Sequence, residues 1–214
     1  KKLKTFLFKN YRYSFGDQST FFKNIYLIPP NSINIWTSKE YKKKILWNYK
    51  IKDNSKISLP KAKKIFLKLL EKSFKYREDN INENRKAFLV SGGLDSPTIA
   101  TLACLRGNEK KIGYSICYNY KKNKNELYYD ESSLIKKIIK KNKMEWRPIY
   151  ITSKDVKLSI DEILNRHDEP ISTPTWVSHY ILAKKISKDG IKFLFGGDGG
   201  DHALAGIYDD FPYY

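Results

Sequence analysis

Two short segments, far apart in the chain, carry the residue types that phosphate chemistry needs. Residues 91–96 read SGGLDS and residues 196–201 read GGDGGD. Glycine and serine leave backbone N–H groups open to an anion, because no bulky side chain stands in the way. Aspartate is out of place beside a phosphate unless it holds a cation, and Mg²⁺ prefers carboxylate and phosphate oxygens. The two segments therefore indicate a site for a nucleotide together with Mg²⁺.

A strand and a helix are predicted on either side of the first segment. Ala87–Val90 is a short apolar run, typical of a buried parallel strand, and it leads directly into SGGLDS. Pro97 follows in what would be the first turn of a helix, where its missing N–H costs nothing. Since a helix N-terminus is a favourable place for a pyrophosphate, the pattern favours a phosphate-binding loop over an ordinary Gly-Gly turn. It is not a Walker loop, because the pattern G-x-x-x-x-G-K-S/T is absent from the sequence.

Helical and strand patterns alternate from the first segment to the second. The sequence predicts helices at 98–106, 130–141, 153–165 and 175–187, and strands at 111–118, 145–151 and 191–195. Strands separated by helices imply βαβ units, so the expected fold class is α/β, with a mostly parallel sheet flanked by helices. In such sheets ligands bind beyond the carboxyl ends of the strands, and both glycine segments directly follow strands. We therefore expect both at the same edge of the sheet.

The first 58 residues have a different character. They lack helical periodicity and are rich in aromatic and β-branched residues, which predicts short strands at 20–25 and 33–36. A helix with an apolar stripe is predicted from Ser58, as N-cap, to about Tyr76. The sequence thus predicts a short β-rich N-terminal region over 1–58 and a nucleotide-binding domain over 59–214.

Composition limits the partners that the chain is expected to have. Its 214 residues carry a net charge of +18, and 41% of them are hydrophobic, enough for a core. The excess charge is mostly lysine, spread over nearly every polar segment without an arginine cluster. This distribution favours a solvated basic surface over a dedicated nucleic-acid face, so nucleic acid is not an expected partner.

Other residue types give weaker signals. No apolar run approaches the roughly 18 residues of a membrane-spanning helix, so no membrane partner is expected. Cys104 and Cys117 lie in apolar sequence, which suits reduced core thiols in a cytoplasmic protein. His167, His179 and His202 lack the spacing of metal ligands and are interpreted as structural or surface residues.

Four segments together resemble the synthetase domain of the glutamine-dependent asparagine synthetases, within the N-type ATP pyrophosphatases. They are SGGLDS at 91–96, YDESSLIKKI at 129–138, HDEPISTPTW at 167–176 and FGGDGGDHALAGIY at 195–208. The resemblance implies the PP-loop fold, also called adenine nucleotide alpha hydrolase-like. The segment at 20–36 is similar to the closing strands of that family's glutaminase domain, which implies that residues 1–58 are a remnant of it.

The resemblance also implies a set of site residues, ATP as the nucleotide and Mg²⁺ as the cation. The Mg²⁺ ligands would be Asp95 and Asp201. Asp198 would lie near the activated carboxyl group, and Asp168 or Glu169 would face the amino-acid substrate or the incoming ammonia. The residues implied to bind the nucleotide are Leu89, Val90, Ser91, Gly92, Gly93, Asp95, Ser96, Cys117, Gly197 and Asp198.

The activity implied by the resemblance is ATP-dependent amide formation. A carboxylate, aspartate's by default, would be adenylated with release of pyrophosphate, and ammonia from glutamine would then give the amide. The family's N-terminal catalytic Cys and downstream Lys have no counterpart in this sequence, so the chain alone is expected to be inactive. A homodimer is a further expectation.

Two alternatives to asparagine synthesis stay open. His202 stands where the family has Glu, which leaves room for a relative with a different acceptor, such as another amidotransferase or a peptide macrolactam cyclase. The tail Ile207–Tyr214 is also unusual for the family. The charge of +18 motivates the second alternative, a non-catalytic nucleotide-binding or RNA-binding module.

Overall fold

The computed structural model describes residues 2–8, 18–47, 56–79, 81, 85–118, 131–171 and 173–204. The chain divides into two compact units, of which the first comprises Lys1–Ser58 and Leu164–Thr173. The second unit comprises Leu59–Ile163 and Pro174–Tyr214. The assignment of these regions to a glutaminase remnant and a synthetase domain stays a prediction. No helix in the described residues combines the length and the apolar character needed to cross a membrane.

The first unit contains a short helix and a β-hairpin. Helix α1 spans Lys2–Phe8, and strands β1 (Ser32–Trp36) and β2 (Tyr41–Ile45) pair antiparallel, with Ser32 opposite Ile45. The predicted strand at 33–36 is thus present. The strand predicted at 20–25 is wrong, because these residues form bends and a turn in which Asn24 has φ +62°, a conformation incompatible with a strand.

The second unit alternates helices and strands as predicted. Its helices are α2 (Leu59–Asp79), α3 (Asp95–Leu105), α4 (Ser132–Lys141), α5 (Ser153–Leu164), α6 (Pro174–Lys188) and α7 (Gly200–Ala203). Its strands are β3 (Lys86–Leu89), β4 (Ile112–Tyr118), β5 (Glu145–Ile151) and β6 (Phe193–Phe195). All four strands are parallel, in the spatial order β5-β4-β3-β6. The predicted α/β fold with a parallel sheet flanked by helices is confirmed.

Helices cover both faces of this sheet. Along β3 the side chains alternate, so Phe88 joins one buried cluster and Ala87 the other. The Phe88 cluster includes Phe74 of α2, Ala100 and Ala103 of α3, and Ile135 and Ile139 of α4. The Ala87 cluster includes Tyr114, Ile149 and Ile151 of the sheet, and Leu182 and Ile186 of α6. Burial on both faces explains why the run Ala87–Val90, which contains most of β3, is continuously apolar.

The strand order reverses direction at β3. From β3 the chain moves outward to β4 and then β5, whereas β6 returns to the other side of β3. In parallel α/β sheets, the loops at such a reversal separate and leave a crevice at the carboxyl edge. The segments 91–96 and 196–201 follow β3 and β6, so both border this crevice.

Candidate nucleotide-binding site

The loop between β3 and α3 is held by its own hydroxyl groups. The backbone N–H of Ser91 donates to Ser96 Oγ at 3.1 Å, and the two serine hydroxyls lie 2.9 Å apart. The N–H of Gly93 donates to Ser91 Oγ at 3.2 Å. Helix α3 begins with Asp95 and Ser96, earlier than the predicted 98, so both side chains belong to its first turn. The small residues of SGGLDS thus form a compact turn at a helix N-terminus.

The loop after β6 is a tight turn of the kind that requires glycine. Gly200 N–H donates to the Gly197 carbonyl oxygen at 3.1 Å, and Gly199 between them has φ +85°. A positive φ at the third position of a four-residue turn is the signature of glycine there. The turn places Asp198 at its exposed corner and leads into α7, whose first turn contains Asp201.

The two glycine loops are packed against one another. A Cβ atom on Gly197 would lie 2.5 Å from Asp95 Cβ and 2.5 Å from the backbone nitrogen of Ser96. A Cβ on Gly200 would overlap the Asp95 carboxylate. Real Cβ atoms do not approach other atoms this closely, so no other residue fits at either position without movement of the backbone or of Asp95. The glycines of the second loop therefore bring it onto the first turn of α3.

A cavity of about 670 Å³ opens at this edge of the sheet, a size typical of small-molecule sites. Residues from both loops and from the end of β4 line it together. The predicted site residues in its wall are Leu89, Val90, Ser91, Gly93, Asp95, Ser96, Cys117, Gly197, Asp198 and Asp201. The structure thus brings together nearly all the predicted nucleotide and metal residues of this unit, and their individual roles stay predictions.

Glu131 is the most informative lining residue without a predicted role. It lies directly before α4, and the Gly92 N–H donates to its Oε2 at 2.8 Å. The predicted helix at 130–141 included Glu131, whereas the observed helix begins one residue after it. The pairing with Gly92 joins residues 39 positions apart and could not be read from local patterns. His179 of α6, interpreted from sequence as structural or surface, also lines the cavity and is exposed.

The cavity wall is acidic, although the chain as a whole is strongly basic. Its lining contains the carboxylates of Asp95, Glu131, Asp198 and Asp201. No lysine or arginine lines it within the part of the chain that the structure describes. An anionic ligand in this cavity therefore needs cations of its own for charge balance.

The donor set fits a Mg²⁺ ion that is shared with a ligand. Asp95 and Asp201 supply hard carboxylate oxygens to one cavity wall. No cluster of three or more His, Cys, Asp or Glu is arranged to hold a metal by itself among the described residues. Mg²⁺ commonly binds through one or two carboxylates plus phosphate oxygens and water, which is the pattern available here.

A polar network under the cavity fixes β4 to the end of α6. Tyr114, which is 1% exposed, donates to Asp189 Oδ2 at 2.6 Å and accepts from Arg147 Nη1 at 3.1 Å. Burial, reinforced by the hydrogen bond to Asp189, raises the pKa of the Tyr114 hydroxyl above its ordinary value. This network connects β4, whose residues 114–118 line the cavity, to β5 and to the end of α6.

Asp168 and Glu169 belong to the first unit. They lie in a bend beyond α5, with Asp168 exposed and Glu169 half-buried. Their implied part in binding the amino acid or ammonia stays a prediction. Residues 129–130, 205–208 and the tail 207–214, which contributed to the resemblance or to its alternatives, lie outside the described residues.

Comparison with known proteins gives one strong match. The family model for asparagine synthase matches residues 66–212, more than half of the chain. The comparison with curated proteins gave no match. Among solved structures, an NH3-dependent NAD synthetase from Campylobacter jejuni subsp. jejuni NCTC 11168, in complex with the nitrate ion, is similar at 13% identity. The similarity covers 67% of this chain and 60% of that one, with a TM-score of 0.43. On the family match, the chain belongs to the asparagine synthase family.

Proposed function

We propose that this chain takes part in forming an amide from aspartate and ammonia through an acyl-adenylate. The family match supports an ATP-dependent, amide-forming ligase. The proposal adds the substrate, the order of steps and the role of each residue. It rests on one observation above the others, the packing of the 196–201 loop onto Asp95 and Ser96.

In the first step, a carboxylate oxygen of the substrate attacks the α-phosphorus of ATP. The bond from that phosphorus to the bridging oxygen breaks, and pyrophosphate leaves. Backbone N–H groups of residues 91–96 orient the leaving phosphates, while Leu89, Val90 and Cys117 border the nucleoside. Asp95 and Asp201 would hold Mg²⁺, which when bound neutralises charge on the phosphates.

In the second step, ammonia attacks the acyl carbon and AMP leaves. The attacking nitrogen must lose a proton, and a nearby carboxylate is a suitable acceptor. Asp198, at the exposed corner of its turn, is the candidate near the activated carboxyl group. Asp168 or Glu169 is the candidate for orienting the amino-acid substrate or ammonia. We further propose that glutamine hydrolysis supplies the ammonia and that the enzyme is a homodimer.

The test supplies the intact protein with ATP, Mg²⁺, aspartate and either glutamine or ammonium, and identifies every product. Ammonium removes any need for a glutaminase activity. AMP, pyrophosphate and asparagine in equal amounts are expected. ADP as the product, or no turnover with either nitrogen donor, would contradict the proposal.

His202 favours a second candidate with the same adenylation step and a different acceptor. It is exposed on α7, one residue beyond Asp201, where the resemblance leads us to expect Glu. A cationic or neutral imidazole there changes the charge that a substrate meets beside the metal residues. AMP and pyrophosphate formation with another carboxylate, such as a peptide's, and not with aspartate would identify this candidate.

A further inference from the structure

Glu131 makes a contact that the nucleotide chemistry does not explain. Its carboxylate accepts the N–H of Gly92, in the middle of the loop expected to hold phosphate. A Cβ on Gly92 would lie 2.8 Å from Glu131 Cβ and 3.1 Å from its Cδ. The absence of a side chain at residue 92 is therefore what lets Glu131 lie against the loop.

The neighbouring N–H groups of the loop have neutral acceptors. Ser91 and Gly93 donate to serine hydroxyl groups, whereas Gly92 donates to a carboxylate. A carboxylate resembles a phosphate oxygen, since both are anionic and only accept hydrogen bonds. Glu131 therefore satisfies the loop in the way that a bound phosphate would.

The side chain is free to move away without opening the fold. Glu131 is exposed and precedes α4, whose buried side chains are Ile135 and Ile139 on the face toward the sheet. Rotation of the Glu131 side chain would leave those contacts intact. A phosphate oxygen that takes the Gly92 N–H must displace this carboxylate, because two anions cannot share one donor at close range without mutual repulsion.

We propose that Glu131 is a specificity-determining residue that competes with the ligand's phosphate for the Gly92 N–H. The inference rests on the proposed function, since it assumes that residues 91–96 bind phosphate. Competition lowers the affinity for every phosphate ligand. It disfavours most strongly a phosphate that arrives without a cation, because such a ligand retains its full charge beside the carboxylate.

The test measures binding of inorganic pyrophosphate and of ATP to the intact protein by calorimetry, each with and without Mg²⁺. Glu131→Ala is expected to bind pyrophosphate about three- to tenfold more tightly than the parent protein, because one anionic competitor is removed. The gain should be larger without Mg²⁺ than with it. Glu131→Gln keeps the shape of the side chain and loses its charge. Its affinity for pyrophosphate should lie between those of the parent protein and Glu131→Ala.

Glu109→Ala is the matched control. Glu109 is an exposed glutamate of the same unit, in the loop that precedes β4 at the opposite edge of the sheet, and its side chain lies 3.8 Å from Lys111. Its loss removes the same charge from the protein and should leave both affinities unchanged. Thermal melting checks that all variants fold.

The outcomes separate this inference from the function on which it rests. Suppose that the parent protein binds Mg²⁺–ATP, but that folded Glu131→Ala and Glu131→Gln bind pyrophosphate no more tightly than the parent does. The inference is then overturned, whereas the proposed nucleotide site is retained. A merely structural Glu131 would give that weaker binding together with a lower melting temperature. If neither the parent nor folded Glu131→Ala binds either ligand, the proposed nucleotide site and the inference are both overturned.

Discussion

At the scale of single residues, Asp95 connects the two halves of the candidate site. It belongs to the first turn of α3, lines the cavity, and lies against Gly197 and Gly200 of the second loop. The space that the Asp95 side chain occupies thus depends on two glycines more than a hundred positions later in the sequence. The sequence pattern suggested that the glycines expose backbone N–H groups to an anion. In the structure they have a second role, because their lack of a Cβ atom lets the two loops pack closely.

Gly197→Ala is expected to damage both folding and nucleotide binding. The new Cβ would meet backbone atoms of Asp95 and Ser96, which cannot rotate away as a side chain can. Overpacking of this kind costs about 1–3 kcal/mol in the free energy of unfolding. Gly107→Ala is the control, because the nearest atom to its Cβ is Lys111 Nζ at 4.0 Å. Equal melting temperatures and equal ATP affinities for the two variants would contradict the loop packing.

Tyr114→Phe should destabilise the protein in a pH-dependent manner. At neutral pH the lost hydrogen bond to Asp189 costs about 1 kcal/mol. The pKa of Tyr114 is higher in the folded protein than its ordinary value of 10. The contribution of the protonated hydroxyl to the free energy of unfolding is therefore fully present below pH 10. It is lost as the pH rises through the pKa of the folded state. The difference in unfolding free energy between parent and variant should therefore shrink above pH 10. Tyr150→Phe removes a tyrosine hydroxyl from an exposed position in β5 and serves as the matched control.

At the scale of elements, local pattern predicted most of the second unit. Apolar runs next to glycine marked β3 and β6 and placed both loops at one sheet edge, because parallel strands share their direction. Pattern failed for residues 20–25, where Asn24 turns the chain despite aromatic and β-branched neighbours. It also gave no role to Glu131, since only the packing of α4 against β4 brings that side chain to Gly92. Contacts between distant elements have no local signal.

The short strand β6 depends on ring packing to hold the second loop. Phe195 stacks on Phe88 with ring centroids 5.4 Å apart and meets Phe74 at 5.6 Å. Phe195→Ala should lower the unfolding free energy by about 2–4 kcal/mol and weaken ATP binding, because β6 has three residues and little other support. Leu194→Ala, on the other face of the same strand and 39% exposed, should cost less than half as much in a denaturant titration. A larger loss for Leu194→Ala would show that β6 is held from the opposite face.

At the scale of the whole molecule, the charge distribution is expected to determine which anionic ligands bind in the cavity. The chain carries +18 overall, yet the described lining of the cavity contains four carboxylates and no lysine or arginine. A positive outer field attracts anions and raises their local concentration. The acidic wall then favours those that arrive with a cation.

Removal of Mg²⁺ is therefore expected to weaken ATP binding strongly. Chelation leaves four ligand charges facing the carboxylates of Asp95, Asp198 and Asp201 with nothing to neutralise them. Calorimetry with EDTA, followed by excess Mg²⁺, should show the ATP affinity lowered and then restored. ATP affinity that is unchanged by EDTA would mean that basic groups outside the described lining balance the charge.

The pairing of β3 with β6 also governs the order in which the protein can assemble. Phe88 lies opposite Phe195, so one edge of β3 has no partner until a segment more than a hundred positions later has been synthesised. Contacts this distant in sequence close late and slow folding, since the intervening chain must first lose its freedom. Until then the nascent chain presents an open strand edge, where wrong pairing and aggregation begin. The crevice in which we propose that the nucleotide binds is thus expected to be among the last parts of the unit to form. A truncation before residue 193 should leave the chain dependent on chaperones.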